Sequence, residues 1–427
     1  MLSKILSVFR ADIVKVSSFT AVSTAVKMVT GFVSVKIFAS IIGPGGIALL
    51  GQLGNFSTII LTIASGGINS GVTKHIAENR DSASKVSAFI NASARITFFF
   101  SALAGILLIL FSGFLSKQIL RSDGYSLVFI IFGFTIILYA FNNLLLSILN
   151  GFKEFKKYVI INIITSITGL AFSIALVLIW NIKGALVSYV TYQSVIFFIT
   201  LAFVKGSGWF KMSDIFSRFN RSAGRQLINF SAMTFVSAMV IPTAQLFIRS
   251  YIVERLSMSG AGIWEGMNRI SGMYLMIVTT SLSVYYLPKL AETKSNSELK
   301  REIIRVFRFI MPVMLIATIS IFLFRDLIIG ILFTHDFTSM RDLFKYQMTG
   351  DFFKIATWIV AYQMWAKGMT VVFISTEIIF NATLVLISVY CINHYRLPGA
   401  TMAYMLNYIL CFIGMVVIFR KQLLYAS

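Results

Sequence analysis

Apolar runs of about 20 residues or more alternate along the chain with short polar connections. A run of that length crosses the hydrocarbon core of a bilayer as an α-helix. The pattern predicts twelve such spans, at residues 15–41, 47–70, 86–113, 126–149, 157–180, 184–204, 225–250, 263–288, 303–324, 343–366, 369–391 and 398–419. The connection Gly43-Pro44-Gly45-Gly46 favours a tight reversal between the first two spans. We therefore expect an all-α membrane protein of about twelve transmembrane helices.

The overall composition is typical of a protein whose surface mostly faces lipid. Hydrophobic residues make up 57% of the 427 residues, charged residues only 12%, and the mean hydropathy is +0.85. Soluble domains contain about a quarter charged residues, so this chain has too few to cover a surface that faces water. The composition argues against a soluble enzyme.

The net charge of +21 raises nucleic-acid binding as an alternative. The basic residues, however, lie in short loops between the apolar runs and form no single patch. With the N-terminus in the cytoplasm, about twenty Lys and Arg residues fall on the cytoplasmic side and about eight on the other, which agrees with the positive-inside rule. An even number of spans places the C-terminus in the cytoplasm as well. We interpret the charge as a determinant of membrane topology.

The residues that usually bind metals or cofactors are few and scattered. Cys391 and Cys411 lie inside apolar runs, and His75, His335 and His394 are far apart. This spacing matches no metal-binding pattern and no disulfide framework. The chain also contains no glycine-rich phosphate-binding loop. We therefore expect no metal ion, no cofactor and no step driven by ATP.

Short matching sequences recur about half a chain apart. The matching pairs are Phe19-Thr20-Ala21 with Phe230-Ser231-Ala232, Gly46-Ile47 with Gly262-Ile263, and Ala77-Glu78 with Ala291-Glu292. Each copy contains six spans, so the copies have the same topology and would be related by an axis along the membrane normal, as in known transporters. We predict two six-helix lobes, residues 1–210 and 211–427, joined by the basic segment 205–225.

Lys27 lies in the middle of the first predicted span. A charge there costs about 2.5–3.5 kcal/mol on insertion scales, so it normally faces a cavity or a partner. Polar and small residues recur around it at three- and four-residue steps and share its helix face. They are Thr20, Ser23, Thr24, Thr30, Gly31 and Ser34. This stripe favours the wall of a hydrated cavity, and the alternative is a lysine paired with a buried acid on another helix.

Four further charged residues each have a simple structural explanation beside a functional one. Lys36 is half a turn out of phase with Lys27, so it either snorkels to the outer surface or joins the cavity through a helix distortion. Arg249, near the outer end of the seventh span, has the same alternative of snorkelling. Glu265 and Arg269 are four residues apart, for which an intrahelical ion pair is the simpler interpretation.

The last third of the chain adds two acids within predicted spans. Asp351 and Lys354 are three residues apart, so they either neutralise each other or form a site in which Lys354 binds an anion and Asp351 is its resting counter-ion. Glu377 has Asn381 one turn later and no cation nearby in sequence, so it is a candidate to carry a proton. Asp351, Glu377 and Glu265 are therefore the candidates for coupling or charge pairing.

Cations outnumber acids within the predicted spans. The cations are Lys27, Lys36, Arg95, Arg249, Arg269 and Lys354, and the acids are Glu265, Asp351 and Glu377. A cavity with excess positive charge favours an anionic substrate, such as a phosphate or a diphosphate. The substrate-binding candidates are Lys27, Arg249, Lys354, Lys36 and Arg269, whereas Arg95 lies near a cytoplasmic end and is expected to snorkel.

Several motifs, in the same order from end to end, resemble those of bacterial Wzx-type polysaccharide flippases. The motifs are Ser23-Thr24-Ala25-Val26-Lys27, Gly43-Pro44-Gly45-Gly46, Gly71-Val72-Thr73-Lys74, Gly262-Ile263-Trp264, residues 281–288 (SLSVYYLP), Met340-Arg341-Asp342-Leu343-Phe344 and Gly350-Asp351. The resemblance is especially close to members that handle the enterobacterial common antigen unit. The third to sixth spans differ from those members, and we therefore favour an O-antigen repeat unit as the substrate.

This resemblance implies the multidrug/oligosaccharidyl-lipid/polysaccharide exporter superfamily, with two six-helix lobes around a central cavity and alternating access. It implies an undecaprenyl-diphosphate-linked oligosaccharide as substrate and the bacterial inner membrane as location. It also implies a polysaccharide polymerase and a chain-length regulator as pathway partners. The superfamily's cationic cavity would correspond here to Lys27, Arg249 and Lys354.

Two alternatives remain from the sequence. A cation-coupled multidrug antiporter would share the fold, but such antiporters often carry an acid in the first helix, where this chain has Lys27. A membrane-embedded polymerase or glycosyltransferase would need a large outer loop or a paired-carboxylate motif. The longest outer loop, at residues 325–342, is too short for such a domain, so we expect a transporter and not an enzyme.

Overall fold

The computed structural model describes residues 2–209, 220–293 and 295–420, with side chains from Ala21 onward apart from those at 229, 230 and 232. All regular structure in these ranges is helical, which confirms the all-α prediction. The helices are α1 (Leu2–Ala64), α2 (Asn69–Asn79), α3 (Ala83–Leu110), α4 (Ser112–Leu120), α5 (Ser126–Gly151), α6 (Phe155–Lys205), α7 (Arg221–Arg255), α8 (Met258–Ser281), α9 (Leu287–Glu292), α10 (Asn296–Leu323), α11 (Arg325–Leu332), α12 (Phe344–Ala366) and α13 (Thr370–Ile418). Short 3-10 helices lie at Asp123–Tyr125 and His335–Leu343, and a π turn lies at Leu282–Tyr286.

Three of the longest helices contain a sharp break. α6 breaks at Asn181, which has a positive φ of 51°. Lys157 and Ser207, 50 residues apart, form a hydrogen bond of 2.6 Å, whereas a straight helix would separate them by roughly 75 Å. The chain therefore turns back at Asn181, and α6 supplies two spans. Similar breaks at Gly43 in α1 and Arg396 in α13 have φ values of 63° and 54°.

These breaks account for the number of spans. Eight helices in the described ranges are long and apolar enough to cross a membrane, and α1, α6 and α13 each correspond to two predicted spans. α12, which contains Asp351 and Lys354, corresponds to the tenth predicted span. The protein is thus a multi-pass membrane protein whose described helices match the twelve predicted spans.

The described chain divides into two compact units. Unit 1 holds the described residues up to Ser34 together with Gln52–Pro242, and unit 2 holds Val35–Gly51 together with the described residues from Thr243 onward. The predicted boundary at residue 210 lies outside the described residues, and the lobes 1–210 and 211–427 stay a prediction. Unit 2 therefore includes a piece of α1 that is distant in sequence from the rest of the unit.

Unit 1 has a core in which glycine allows close approach of helices. Ile68, Val72 and Ile76 around α2 are 0% exposed. Gly71 lies so close to α7 that a Cβ atom on it would be 2.7 Å from the Leu227 carbonyl oxygen. The Gly71 amide also donates to Ser231 Oγ at 3.1 Å. The first part of α7 is therefore fixed against α2 by backbone contact.

The turn between α5 and α6 is tied to the segment that follows α6. Glu154 accepts hydrogen bonds from Trp209 Nε1 and from Ser207 Oγ, and Lys157 Nζ lies 2.7 Å from its Oε2 atom. Phe152 stacks on Trp209 with ring centroids 4.6 Å apart. Burial alone would raise the pKa of Glu154, but the hydrogen bonds and charge of its partners hold that pKa below the ordinary value.

Unit 2 is built around α12. One face of α12 packs against α8, α10 and the π turn. The core at this contact includes Leu282, Tyr286, Leu290, Ile303, Met314, Ile355 and Ile359. On another side Gly350 brings α12 close to α13, because a Cβ atom there would be 2.4 Å from the Tyr404 ring. This contact places Asp351 beside the second half of α13.

Candidate functional site

Lys27 is exposed on α1 in unit 1. Of its polar stripe, Ser23 is buried, and Thr24 and Thr30 are half-buried. Thr30 donates back to the Val26 carbonyl at 2.8 Å, as a hydroxyl within a helix commonly does. In the described ranges the Lys27 ammonium makes neither an ion pair nor a hydrogen bond. Its charge is thus available to an anion.

Arg249 and Arg269 both bind Glu265. Arg249 Nη2 lies 2.5 Å from Glu265 Oε2, and Arg269 Nε lies 3.1 Å from Oε1. Arg249 is only 2% exposed, and its guanidinium lies over the Trp264 ring at 5.4 Å from the centroid. The ion pair expected between Glu265 and Arg269 is present, and Arg249 joins it. One carboxylate therefore partly neutralises two of the candidate cations.

The backbone of α1 packs against Glu265, the central residue of the triad formed by Arg249, Glu265 and Arg269. A Cβ atom on Gly51 would lie 2.6 Å from Glu265 Cδ, so only glycine fits at this position without a shift. Pro44 makes a similar approach, since a Cβ atom on Gly262 would lie 1.7 Å from its carbonyl oxygen. Residues 35–51 are therefore packed tightly on α8 within unit 2.

Lys36 binds the end of a short helix instead of an acid. Its Nζ atom donates to the Phe333 carbonyl at 3.0 Å and to the Gly330 carbonyl at 3.4 Å. These carbonyls belong to the last turn of α11 and the residue after it, where helix carbonyls lack intrahelical donors and attract cations. Lys36 thus has a structural role as a cap of α11 in unit 2.

Asp351 is enclosed by hydroxyl groups. It is 0% exposed and accepts hydrogen bonds from Ser271, from Tyr274 at 2.5 Å and from Tyr404 at 2.7 Å. Gln347 Nε2 lies 3.5 Å from its Oδ1 atom. These donors come from α8, α13 and α12, and none of them is a cation. Donors of this kind satisfy an ionised carboxylate, which can only accept.

Lys354 lies in a cage of three aromatic rings. Its Nζ atom is 5.3 Å from the ring centroid of Trp358, 5.6 Å from that of Tyr404 and 5.4 Å from that of Tyr408. It forms no salt bridge with Asp351 in the part of the chain that the structure describes. Aromatic faces stabilise a cation without supplying a counter-charge. Lys354 is therefore a half-buried cation whose ammonium donates no hydrogen bond to the described residues.

Glu377 lies half-buried on α13, close enough to Tyr408 and Cys411 to interact electrostatically with them. Asn381 Nδ2 donates to the Glu377 backbone carbonyl and not to its carboxylate.

No group of three or more potential metal ligands occurs among the described residues, and Cys391 and Cys411 are both free thiols.

The aromatic and hydroxyl partners in unit 2 were not identified from the sequence. Tyr404 and Tyr408 are four residues apart, as are Lys354 and Trp358, so each pair lies on one helix face. That spacing is a detectable signal, but it does not show that the two faces meet. The close approach at Gly350 brings them together.

Solved structures of transporters have the same fold at low sequence identity. An inward-facing multidrug MATE transporter of the MOP superfamily gives a TM-score of 0.70 at 14% identity, covering 92% of this chain and 95% of that one. An outward-facing MATE transporter gives 0.65 at 14% identity, covering 96% and 95%. The chain therefore has the fold of the MATE transporters, a membrane fold of twelve helices in two lobes.

Sequence comparison assigns the family within this fold. Residues 13–294 match the family described as polysaccharide biosynthesis protein, and the chain belongs to that family. The lipid III flippases of Escherichia coli (strain K12) and Shigella flexneri are each 26% identical to it over 414 residues, 96% of this chain and 100% of theirs. These matches confirm the resemblance found in the sequence motifs.

Proposed function

We propose that the protein is a flippase that moves a polyprenyl-diphosphate-linked oligosaccharide from the cytoplasmic to the periplasmic leaflet of the bacterial inner membrane. The observation that carries this proposal is the difference among the five candidate cations in whether they already have binding partners. Arg249, Arg269 and Lys36 are occupied by Glu265 or by carbonyls, whereas Lys27 and Lys354 form no ion pair and no hydrogen bond in the described ranges. Each unit thus supplies one lysine able to bind a diphosphate oxygen.

Two further findings support this function. The relatives that match over almost the whole chain are named lipid III flippases, and the family is one of polysaccharide biosynthesis. The fold is shared with transporters solved in inward-facing and outward-facing states, which agrees with alternating access. A transporter accounts for these findings better than an enzyme does.

The mechanism follows from the chemistry of the substrate. The diphosphate binds Lys27 or Lys354 from the cytoplasmic side, the glycan occupies a hydrated cavity, and the polyprenyl tail stays in lipid. Rocking of the lobes 1–210 and 211–427 then exposes the head group to the periplasm. Moving an anion out of a negatively charged cytoplasm is favoured by the membrane potential. Asp351 and Glu377 are the candidates for additional coupling to protons.

The glycan, the topology and the partners complete the proposal. We retain the O-antigen repeat unit as the favoured substrate, because the third to sixth spans differ from those of common-antigen members. Both termini lie in the cytoplasm according to the distribution of Lys and Arg. A polysaccharide polymerase and a chain-length regulator act on the product in the periplasm.

The test is a clean deletion of the gene in its native host. We expect loss of one surface polysaccharide and accumulation of its lipid-linked unit on the cytoplasmic leaflet, with both restored by the intact gene. The polysaccharide that disappears identifies the glycan. Normal surface glycan together with new sensitivity to cationic dyes would overturn the flippase proposal in favour of a multidrug antiporter.

A further inference from the structure

Tyr404 joins the buried carboxylate to the caged lysine. Its hydroxyl donates to Asp351 Oδ1 at 2.7 Å, and its ring is one of the three that surround Lys354 Nζ. The other two rings do not donate to Asp351 in the described ranges. A movement of Tyr404 therefore alters the surroundings of both charges.

In the arrangement present, Asp351 accepts every hydrogen bond that its carboxylate makes in the described ranges, as an ionised carboxylate does. Ser271 and Tyr274 both donate to Oδ2, and Ser271 Oγ also accepts from Gln347 Nε2 at 3.0 Å. Tyr404 is the hydroxyl donor to Oδ1. A protonated carboxyl group carries a donor of its own, so a proton on Oδ1 breaks the present hydrogen bond from Tyr404, whose hydroxyl must then turn to accept or move away. Protonation is thus expected to release Tyr404 first.

Release of Tyr404 changes the binding properties of Lys354 in two ways. One wall of the aromatic cage is withdrawn, which weakens the cation–π stabilisation of the free ammonium. The negative charge three residues away on the same helix is also lost. Both changes make the unbound Lys354 ammonium less stable, and they therefore favour binding of an anion. The titratable and charged groups that face Asp351 are Lys354 on α12, Tyr274 on α8, and Tyr404 and Tyr408 on α13.

We infer that Tyr404 is a positioning residue that links protonation of Asp351 to anion binding at Lys354, so that a proton and the substrate diphosphate bind together. This inference rests on the proposed function, because it takes the diphosphate as the anion. The linkage is reciprocal, and anion binding must promote proton uptake to the same extent. The proton on Asp351 also offsets part of the negative charge that the substrate brings into the site.

The experiment measures pyrophosphate binding by calorimetry to the full-length protein in detergent, over a range of pH and in buffers of different ionisation enthalpy. We compare wild type with Tyr404→Phe, which keeps the ring and removes the hydroxyl. Tyr362→Phe is the matched control. Tyr362 is on the same helix as Asp351, but its hydroxyl forms a hydrogen bond with Ser283, away from Asp351. Titration of the probe itself is common to all variants and cancels in the comparison.

For wild type we expect proton uptake on binding. For Tyr404→Phe we expect less proton uptake on binding, because the hydroxyl that links Asp351 to the ring beside Lys354 is gone. The pH dependence that remains should move upward by about one pH unit, because a hydrogen bond to the charged carboxylate has been lost. Asp351→Asn, which has a permanently neutral side chain, should bind without proton uptake at this site, and it keeps the test decisive if Tyr404→Phe is unstable. The control should titrate as wild type does.

Two outcomes overturn different conclusions. Equal pH dependence in wild type, Tyr404→Phe and Asp351→Asn would overturn the linkage through Tyr404 while leaving the flippase proposal intact. If Lys354→Ala binds pyrophosphate as tightly as wild type does, Lys354 is not the anion contact, and that element of the proposed function fails.

Discussion

At the scale of single residues, Asp351 and Lys354 lie three residues apart on α12, and each contacts groups from elsewhere in unit 2. Their position within a span, like that of Lys27, is visible in the sequence. Their spacing left open whether they neutralise each other or form an anion site; the two charges interact electrostatically but form no ion pair in the described ranges. The carboxylate is bound by hydroxyls from α8 and α13, and the lysine by rings. Such contacts depend on which helix faces meet, and local spacing does not encode that.

Lys27 gives the most direct prediction for transport. We expect Lys27→Ala to lower export of the lipid-linked unit by about tenfold or more, because an anion contact is lost, whereas Lys27→Arg should retain most of it. Export is measured as surface glycan in the deletion strain, with the abundance of each variant in the membrane checked by immunoblot. Lys117→Ala serves as the control, since the side chain of that lysine is 71% exposed and pairs with Asp123 at the surface. Full export by Lys27→Ala would remove Lys27 from the site.

Glu154 provides a prediction about pH. Its pKa in the folded protein is below the ordinary value, so its stabilising effect is fully present above the unfolded pKa of about 4.3 and is lost as pH falls through the folded pKa. Glu154→Gln should therefore lower stability by about 1 kcal/mol at pH 7 and by progressively less below about pH 4. The midpoint of thermal unfolding in detergent, followed at several pH values, measures this. A constant difference across the pH range would contradict the assigned role of the carboxylate.

At the scale of helices, the apolar runs were sufficient for most of the architecture. Predicted spans ending at 180 and 391 agree with the breaks at Asn181 and Arg396, where the backbone leaves the helical conformation. The run length identifies a span because the bilayer sets it. The piece of α1 at residues 35–51 was not foreseen as part of unit 2, because its apolar pattern is like that of any span.

Gly51 tests how tightly that piece of α1 is held. We expect Gly51→Ala to destabilise the protein by about 1–3 kcal/mol, because the new Cβ atom would overlap the Glu265 carboxylate. Gly113→Ala in α4 is the matched control, since nothing lies within 4 Å of its Cβ position and the change should be neutral or slightly stabilising. Thermal unfolding of both variants in detergent measures the difference. Equal stability of the two variants would show that α1 yields easily at this contact.

The triad beneath Gly51 gives a related prediction. Glu265→Gln removes the negative charge that both arginines bind, which should cost about 3 kcal/mol. The double variant Arg249→Met, Glu265→Gln should recover part of that loss, because the more deeply buried of the two cations is then removed as well. Unfolding midpoints of the single and double variants form the test. Recovery is the result that a structural triad requires, and a substrate-binding arginine would give no such rescue.

At the scale of the whole molecule, the topology is open to direct measurement. α5 has 26 residues and spans about 39 Å, so its two ends lie on opposite sides of a bilayer. Lys153→Cys should react with a membrane-impermeant thiol reagent only after the membrane has been permeabilised. Lys117→Cys should react with the same reagent in intact spheroplasts. Cys391 and Cys411 are buried and give a low background. The reverse labelling pattern would invert the proposed orientation.

The assignment of residues 35–51 to unit 2 also bears on how the protein can be divided. A fragment that begins at residue 211 would lack the backbone that covers Glu265 and the lysine that caps α11. A second half produced from its own gene would therefore be complete only after residues 35–51 of the first half had bound to it, so the order in which the halves are synthesised becomes part of how unit 2 folds.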